Sequence, residues 1–210
     1  MKLAAALLLI VSALPLWAGK KQPIGVGLTK LPPQTAQIDD LKVPKPKQAC
    51  PNWVWASAFQ LMLEQQQVTD FNQEYWVLKS AAGELCIETP IDFDQLKQWV
   101  DGDYLLSDGN HVHLEGVITP GAPQDISHFV QQLKDGRTAL VLWKGRPYLL
   151  QAIEYDEYIY PNGQRMFEAR KLTLLDPLAK APVIFEKTKD DIADIGGMFE
   201  ITVGPVDHFR

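Results

Sequence analysis

The sequence predicts an α+β fold, with a helical N-terminal half and an antiparallel β-sheet in the C-terminal half. Three observations carry this. Trp55, Ala58, Phe59 and Met62 recur at the i, i+3, i+4, i+7 spacing of one buried helical face. Phe93, Leu96, Trp99 and Val100 repeat that period, as do Ile126, Phe129, Val130 and Leu133. After Thr138 the period changes to short apolar runs bounded by turn residues, and adjacent strands with short connections pair antiparallel.

The chain has 210 residues, 46% of them hydrophobic and six of them tryptophan, enough for one domain with a sizeable core. Its net charge is −6 and it has no dense Lys/Arg run, which argues against a nucleic-acid-binding surface. Met1-Lys2 followed by the apolar run Leu3 to Leu16 and then Trp17-Ala18-Gly19 reads as a secretory signal peptide over residues 1–18, cut after Ala18. The run is shorter than the roughly 20 apolar residues of a spanning helix, so no membrane span is expected in the mature chain, which would be secreted or periplasmic. No cofactor is indicated. In an oxidising compartment two cysteines in a small domain pair, so Cys50 and Cys86 are expected to form a disulfide. Closing so long a loop would stabilise the fold by about 3–4 kcal/mol if the gain is the lost entropy of the unfolded chain.

Residues 19–47 are rich in Pro, Lys and Gly and read as an extended arm or linker. Residues 48–210 form the domain. Pro51 suits the start of a helix, since its missing N–H would be unpaired there anyway, and Asn52 is a good capping residue. Val68 to Asn72 is a turn. Asn72 or Asp70 caps a second helix over Gln73 to Ala82, with Tyr75, Trp76 and Leu78 as its apolar face, and Gly83 ends it. A third helix covers Asp92 to Val100. Asp101-Gly102-Asp103 and Ser107 to Asn110 carry turn chemistry. His111 to Ile118 alternates as a strand, which puts His111, His113 and Glu115 on one face. A solvated polar face is the preferred reading there, and a metal the alternative. Thr119 to Asp125 is a loop and Ile126 to Lys134 a helix, with His128 off its apolar stripe. Strands follow at Thr138 to Trp143, Tyr148 to Tyr155, Met166 to Leu175, Pro182 to Glu186 and Met198 to Val203. A turn at Pro161-Asn162-Gly163 joins the second and third of these.

The stretch Gln48-Ala-Cys-Pro-Asn-Trp-Val-Trp-Ala-Ser-Ala-Phe59 resembles the nucleophile helix of papain-like cysteine peptidases, most closely the bacterial C39-like branch. The resemblance implies a two-lobed fold with a cleft between a helical lobe and a sheet lobe. In that family a Gln six residues before the nucleophilic Cys donates to the oxyanion, and an Asn-Trp-Cys-Trp-Ala run opens the helix. Here Gln48 stands six residues before Val54, within Asn52-Trp53-Val54-Trp55-Ala56. Valine has no nucleophilic atom, so the usual covalent mechanism is closed at this position. The family's disulfide layout also matches Cys50 and Cys86 approximately.

The family's base is a His at the start of a strand, ahead of an apolar run and a Tyr-Asp. The matching run is Pro147-Tyr148 through Tyr155-Asp156, and Tyr148 occupies the His position. A phenol ordinarily ionises only near pH ~10, so it is a poor base at neutral pH. The third member, an Asp ahead of Pro, matches Asp176-Pro177, which reads equally as a strand-ending Asx turn. Gln48 and Asp176 are thus retained, while the two bond-breaking positions, Val54 and Tyr148, are not. The implied function is a secreted pseudopeptidase that binds a peptide or protein segment in the inter-lobe cleft. Gln48, Trp53, Val54 and Tyr148 would be its binding residues. The alternative is an enzyme with a displaced nucleophile at Cys50, or with a metal at His111 and His113.

Overall fold

A computed structural model describes residues 27–44, 53–80, 92–176, 183–186 and 194–206, with 183–186 as backbone. The expected leader, Pro51, Asn52 and the helix continuation past Ser80 lie outside these residues. Along the chain come β1 (Thr29–Lys30), β2 (Gln34–Gln37), α1 (Val54–Glu64), α2 (Gln73–Lys79) and α3 (Phe93–Val100). β3 (Gly102–Leu105), β4 (His111–Pro120), α4 (Ser127–Lys134) and β5 (Leu140–Trp143) follow. β6 (Arg146–Ile159), β7 (Arg165–Leu175), β8 (Val183–Glu186) and β9 (Ile195–Pro205) complete the described elements.

The class is α+β, and the strands form one sheet ordered β3-β4-β9-β5-β6-β7-β8. Every pairing among the described strands is antiparallel. The division into a helical half and a sheet half is less clean than the sequence implied. Two strands lie in the N-terminal arm, and β3 and β4 precede α4. β6 is long enough to pair in succession with β5, β2 and β1 along one edge while β7 runs along the other.

Capping side chains begin two of the helices, Asn72 as expected and Asp92 from just outside α3 rather than as its first residue. The Asn72 side chain accepts from the Tyr75 N–H at 3.0 Å, and the Asp92 side chain accepts from the Asp94 N–H at 2.9 Å. α1 starts differently. Trp53 is its N-cap, and its side chain makes no capping hydrogen bond. α2 buries Trp76 and Val77 and leaves Leu78 79% exposed, the reverse of the expectation for Leu78.

The sheet carries a core on each face. On the first, α1, α2 and α3 pack over Leu114, Leu140, Leu149, Phe199 and Ile201. Phe59 sits at its centre, edge-on to Trp55 and Trp76 and stacked on Phe199 at 5.5 Å. On the second face, Phe129, Val130 and Leu133 of α4 pack over Val141, Tyr148, Leu150, Ile153 and Met198. Ala36 of β2 joins this second core, so the arm is part of the fold rather than a tether.

Polar side chains fasten the helices to the sheet. Gln66, just past α1, donates to the Ile201 carbonyl at 2.7 Å and accepts from the Val203 N–H at 3.2 Å, while Gln65 accepts from the Thr138 N–H at 2.9 Å. The Tyr104 hydroxyl donates to the Val100 carbonyl at 2.8 Å and accepts from Lys79. Burial raises the Tyr104 phenol above its ordinary pKa and lowers that of the Lys79 ammonium. Gly116 lets β4 approach α3, because a Cβ there would lie 2.8 Å from Phe199 and 2.9 Å from Val100. Gly116→Ala is expected to cost about 1–3 kcal/mol by overpacking, read as a lower urea midpoint at unchanged slope. An unshifted midpoint would mean that this contact yields freely.

Candidate functional site

Val54 opens α1 and is 4% exposed, and Trp53 beside it is 8% exposed. Neither side chain offers an open binding surface. Gln48, Cys50 and Cys86 lie outside the described residues, and with them the expected oxyanion donor and disulfide.

The start of β6 is set by its hairpin. Trp143 and Arg146 are cross-strand partners around Lys144-Gly145, whose φ angles of 50° and 71° make a two-residue turn with both central residues left-handed. This register puts Pro147 opposite Leu142 and Tyr148 opposite Val141. Directly opposed residues share a face, so Pro147 lies with Leu142 and Leu149 on the side of α1, and Tyr148 lies with Val141 on the side of α4. Tyr148 is 6% exposed, with its ring 5.7 Å from that of Trp143. The sequence brought Val54 and Tyr148 to one cleft. In the fold, Tyr148 and the helix that carries Val54 pack on opposite faces of the sheet.

Pro147 is tolerated for a geometric reason. The pair flanking a two-residue turn exchanges hydrogen bonds and the next pair does not, so the Pro147 nitrogen turns away from β5. On that other edge β7 pairs only from Leu149 onward, so no ladder bond is lost. Asp176, just past the end of β7, lies 3.5 Å from the Arg146 guanidinium and orients no imidazole among the described residues.

His111 and His113 project from the β3–β4 pair, where the His113 Nδ1 lies 2.6 Å from Asp103. Among the described residues no group of three or more His, Cys, Asp or Glu side chains could hold a metal ion. No helix among them is long and apolar enough to cross a membrane.

The second face holds a feature that the sequence did not announce. Glu200 on β9 is a carboxyl group with only 5% of its side chain exposed, set in a strand whose one other polar side chain is Thr202. His128 Nε2 reaches its two oxygens at 2.8 and 3.0 Å, and Gln132 donates to it as well. Nε2 is thus the ring nitrogen that faces the carboxyl group, placed to share a proton with it. The sign was visible as an acid amid the apolar run Met198-Phe-Glu-Ile-Thr-Val203, but its partner was not.

Beside this cluster a cavity of about 340 Å³ opens between the start of α4, the loop after β4 and the sheet. Ile126, Phe129, Ile153, Leu172, Ile195 and Met198 make it apolar, and Gln124, Glu168 and Lys171 also line it. These residues come from separate stretches of chain, so no local motif announces them. No family model matches the chain, and no curated protein matches it in sequence.

Proposed function

We propose that this chain is an exported, non-catalytic relative of the papain-like cysteine peptidases that holds a peptide or protein segment without cutting it. One observation carries the reading: the residue that opens α1, where the family keeps its sulfur, is Val54, an aliphatic side chain sealed in the core. The start of β6 supports it. Pro147 on the α1 side and Tyr148 on the α4 side are both unsuited to take a proton at neutral pH. Asp176 is held by Arg146, which leaves it a structural role at the strand end.

The test is restoration. Val54→Cys with Pro147→His is expected to react with iodoacetamide at least about tenfold faster than Val54→Cys alone, because α1 packs against β6 and an imidazolium that reaches the thiol lowers its pKa. Val54→Cys with Tyr148→His is expected to react no faster than the single variant, since its imidazole would face α4. Equal rates in all three, with the fold intact, would sink the placement of α1 against β6. The unmodified protein is expected to bind members of a fluorescent peptide library and to leave them uncut. Hydrolysis that survives thiol blocking would end the reading.

A further inference from the structure

We propose that the cavity beneath α4 is a binding site for a compact apolar carboxylate. The apolar body would lie against Phe129, Ile153, Leu172 and Met198, and the carboxylate would meet Lys171. The volume, about 340 Å³, is that of roughly ten liquid waters, too large to be a packing defect and within the range of small-ligand pockets. Its lining is mostly aliphatic and aromatic, so water inside it has few partners and an apolar solute gains by displacing it.

The charge of the ligand follows from which polar group is unsatisfied. Among the described residues the Lys171 ammonium has no hydrogen bond, ion pair or ring contact, although the residue is half-buried and pairs in register with Glu154 on β6 and Glu186 on β8. Every other described lysine and arginine has a partner. Lys30, Lys42, Lys97, Lys144 and the arginines meet carboxylates, Lys79 meets Tyr104, and Lys134 lies over the Tyr155 ring. Glu154, across from Lys171 on β6, is taken by Arg170 at 3.6 Å. Glu168, the acid in the lining, already accepts from the Tyr158 hydroxyl at 3.1 Å. The lining therefore offers a free cation and an engaged anion, which selects a negatively charged head group over a cationic one. A flexible four-carbon stem lets the Lys171 ammonium meet it at the mouth while the methylenes stay against apolar surface. This site is independent of whether the chain is an inert peptidase relative, because none of its lining residues takes part in that reading.

The experiment compares three probes of one shape by titration calorimetry on the full chain: phenylbutyrate, phenylbutyramide and phenylbutylamine. Phenylbutyrate is expected to bind saturably, about tenfold tighter than the neutral amide, with the amine weakest. Lys171→Gln is expected to bring the acid down to the affinity of the amide and leave the amide unchanged. Filling the cavity from its rim, by Ala122→Trp or separately by Ala169→Phe, is expected to weaken acid and amide together. Either filler suffices if the other does not fold. No saturable binding of phenylbutyrate would overturn the proposal. So would acid and amide binding equally well, or binding that survives both fillers.

Discussion

Phe199→Ala is expected to remove about 3–5 kcal/mol of folding stability, a large share of the roughly 5–15 kcal/mol of a typical domain. Phe199 is fully buried on β9, stacked on Phe59 of α1 at 5.5 Å and tilted against Phe93 of α3 at 5.7 Å. Gly116 lies against its ring from β4. One side chain thus joins α1 and α3 to the middle of the sheet, and its removal leaves a void that none of these rigid elements can close. Urea denaturation should show a lower midpoint at an unchanged slope. A loss below about 1 kcal/mol would mean that the helices are held elsewhere.

The second large effect belongs to Glu200. Its carboxylate is buried, and His128 and Gln132 are its partners. His128→Ala leaves a buried carboxyl group with one neutral donor, at an expected cost of about 1–3 kcal/mol even though the histidine itself is largely exposed. Glu200→Gln removes the charge that needed compensation. The double variant His128→Ala, Glu200→Gln is therefore expected to be less destabilised than the sum of the two singles. Additive losses would mean that the imidazole and the carboxylate do not act on each other, and the pair would lose its role in tying α4 to β9.

Much of the fold was legible where a period ran without interruption. α1, α3 and α4 lie close to their expected bounds, because each places apolar residues on one stripe. β4 through β9 also lie in their expected segments, several of them longer than expected. The errors fall where the local signal was ambiguous. The sequence places Leu78 on the apolar face of α2, yet Val77 is buried instead; a helix of seven residues has too little pattern to choose between neighbouring directions. Asp101-Gly102-Asp103 has turn chemistry, yet Gly102 and Asp103 begin β3. Asp101 reaches back to accept from the Gly116 N–H at 2.7 Å. The arm strands β1 and β2 carry no strand signal, because two and four residues are too short for an alternation, and only the free edge of β6 makes them strands.

Composition and periodicity alone determined that this chain folds as an α+β domain around large aromatic side chains, and that position 54 cannot attack a carbonyl. Those follow from the kind of atom present and from repeats of a few residues. Which face each side chain of β6 takes was decided only in three dimensions. The left-handed pair Lys144-Gly145 sets the strand register, and a shift of one residue moves every side chain to the opposite core. The cavity beneath α4 and the burial of Glu200 against His128 belong to the same level, since they join residues that meet only once the sheet has formed.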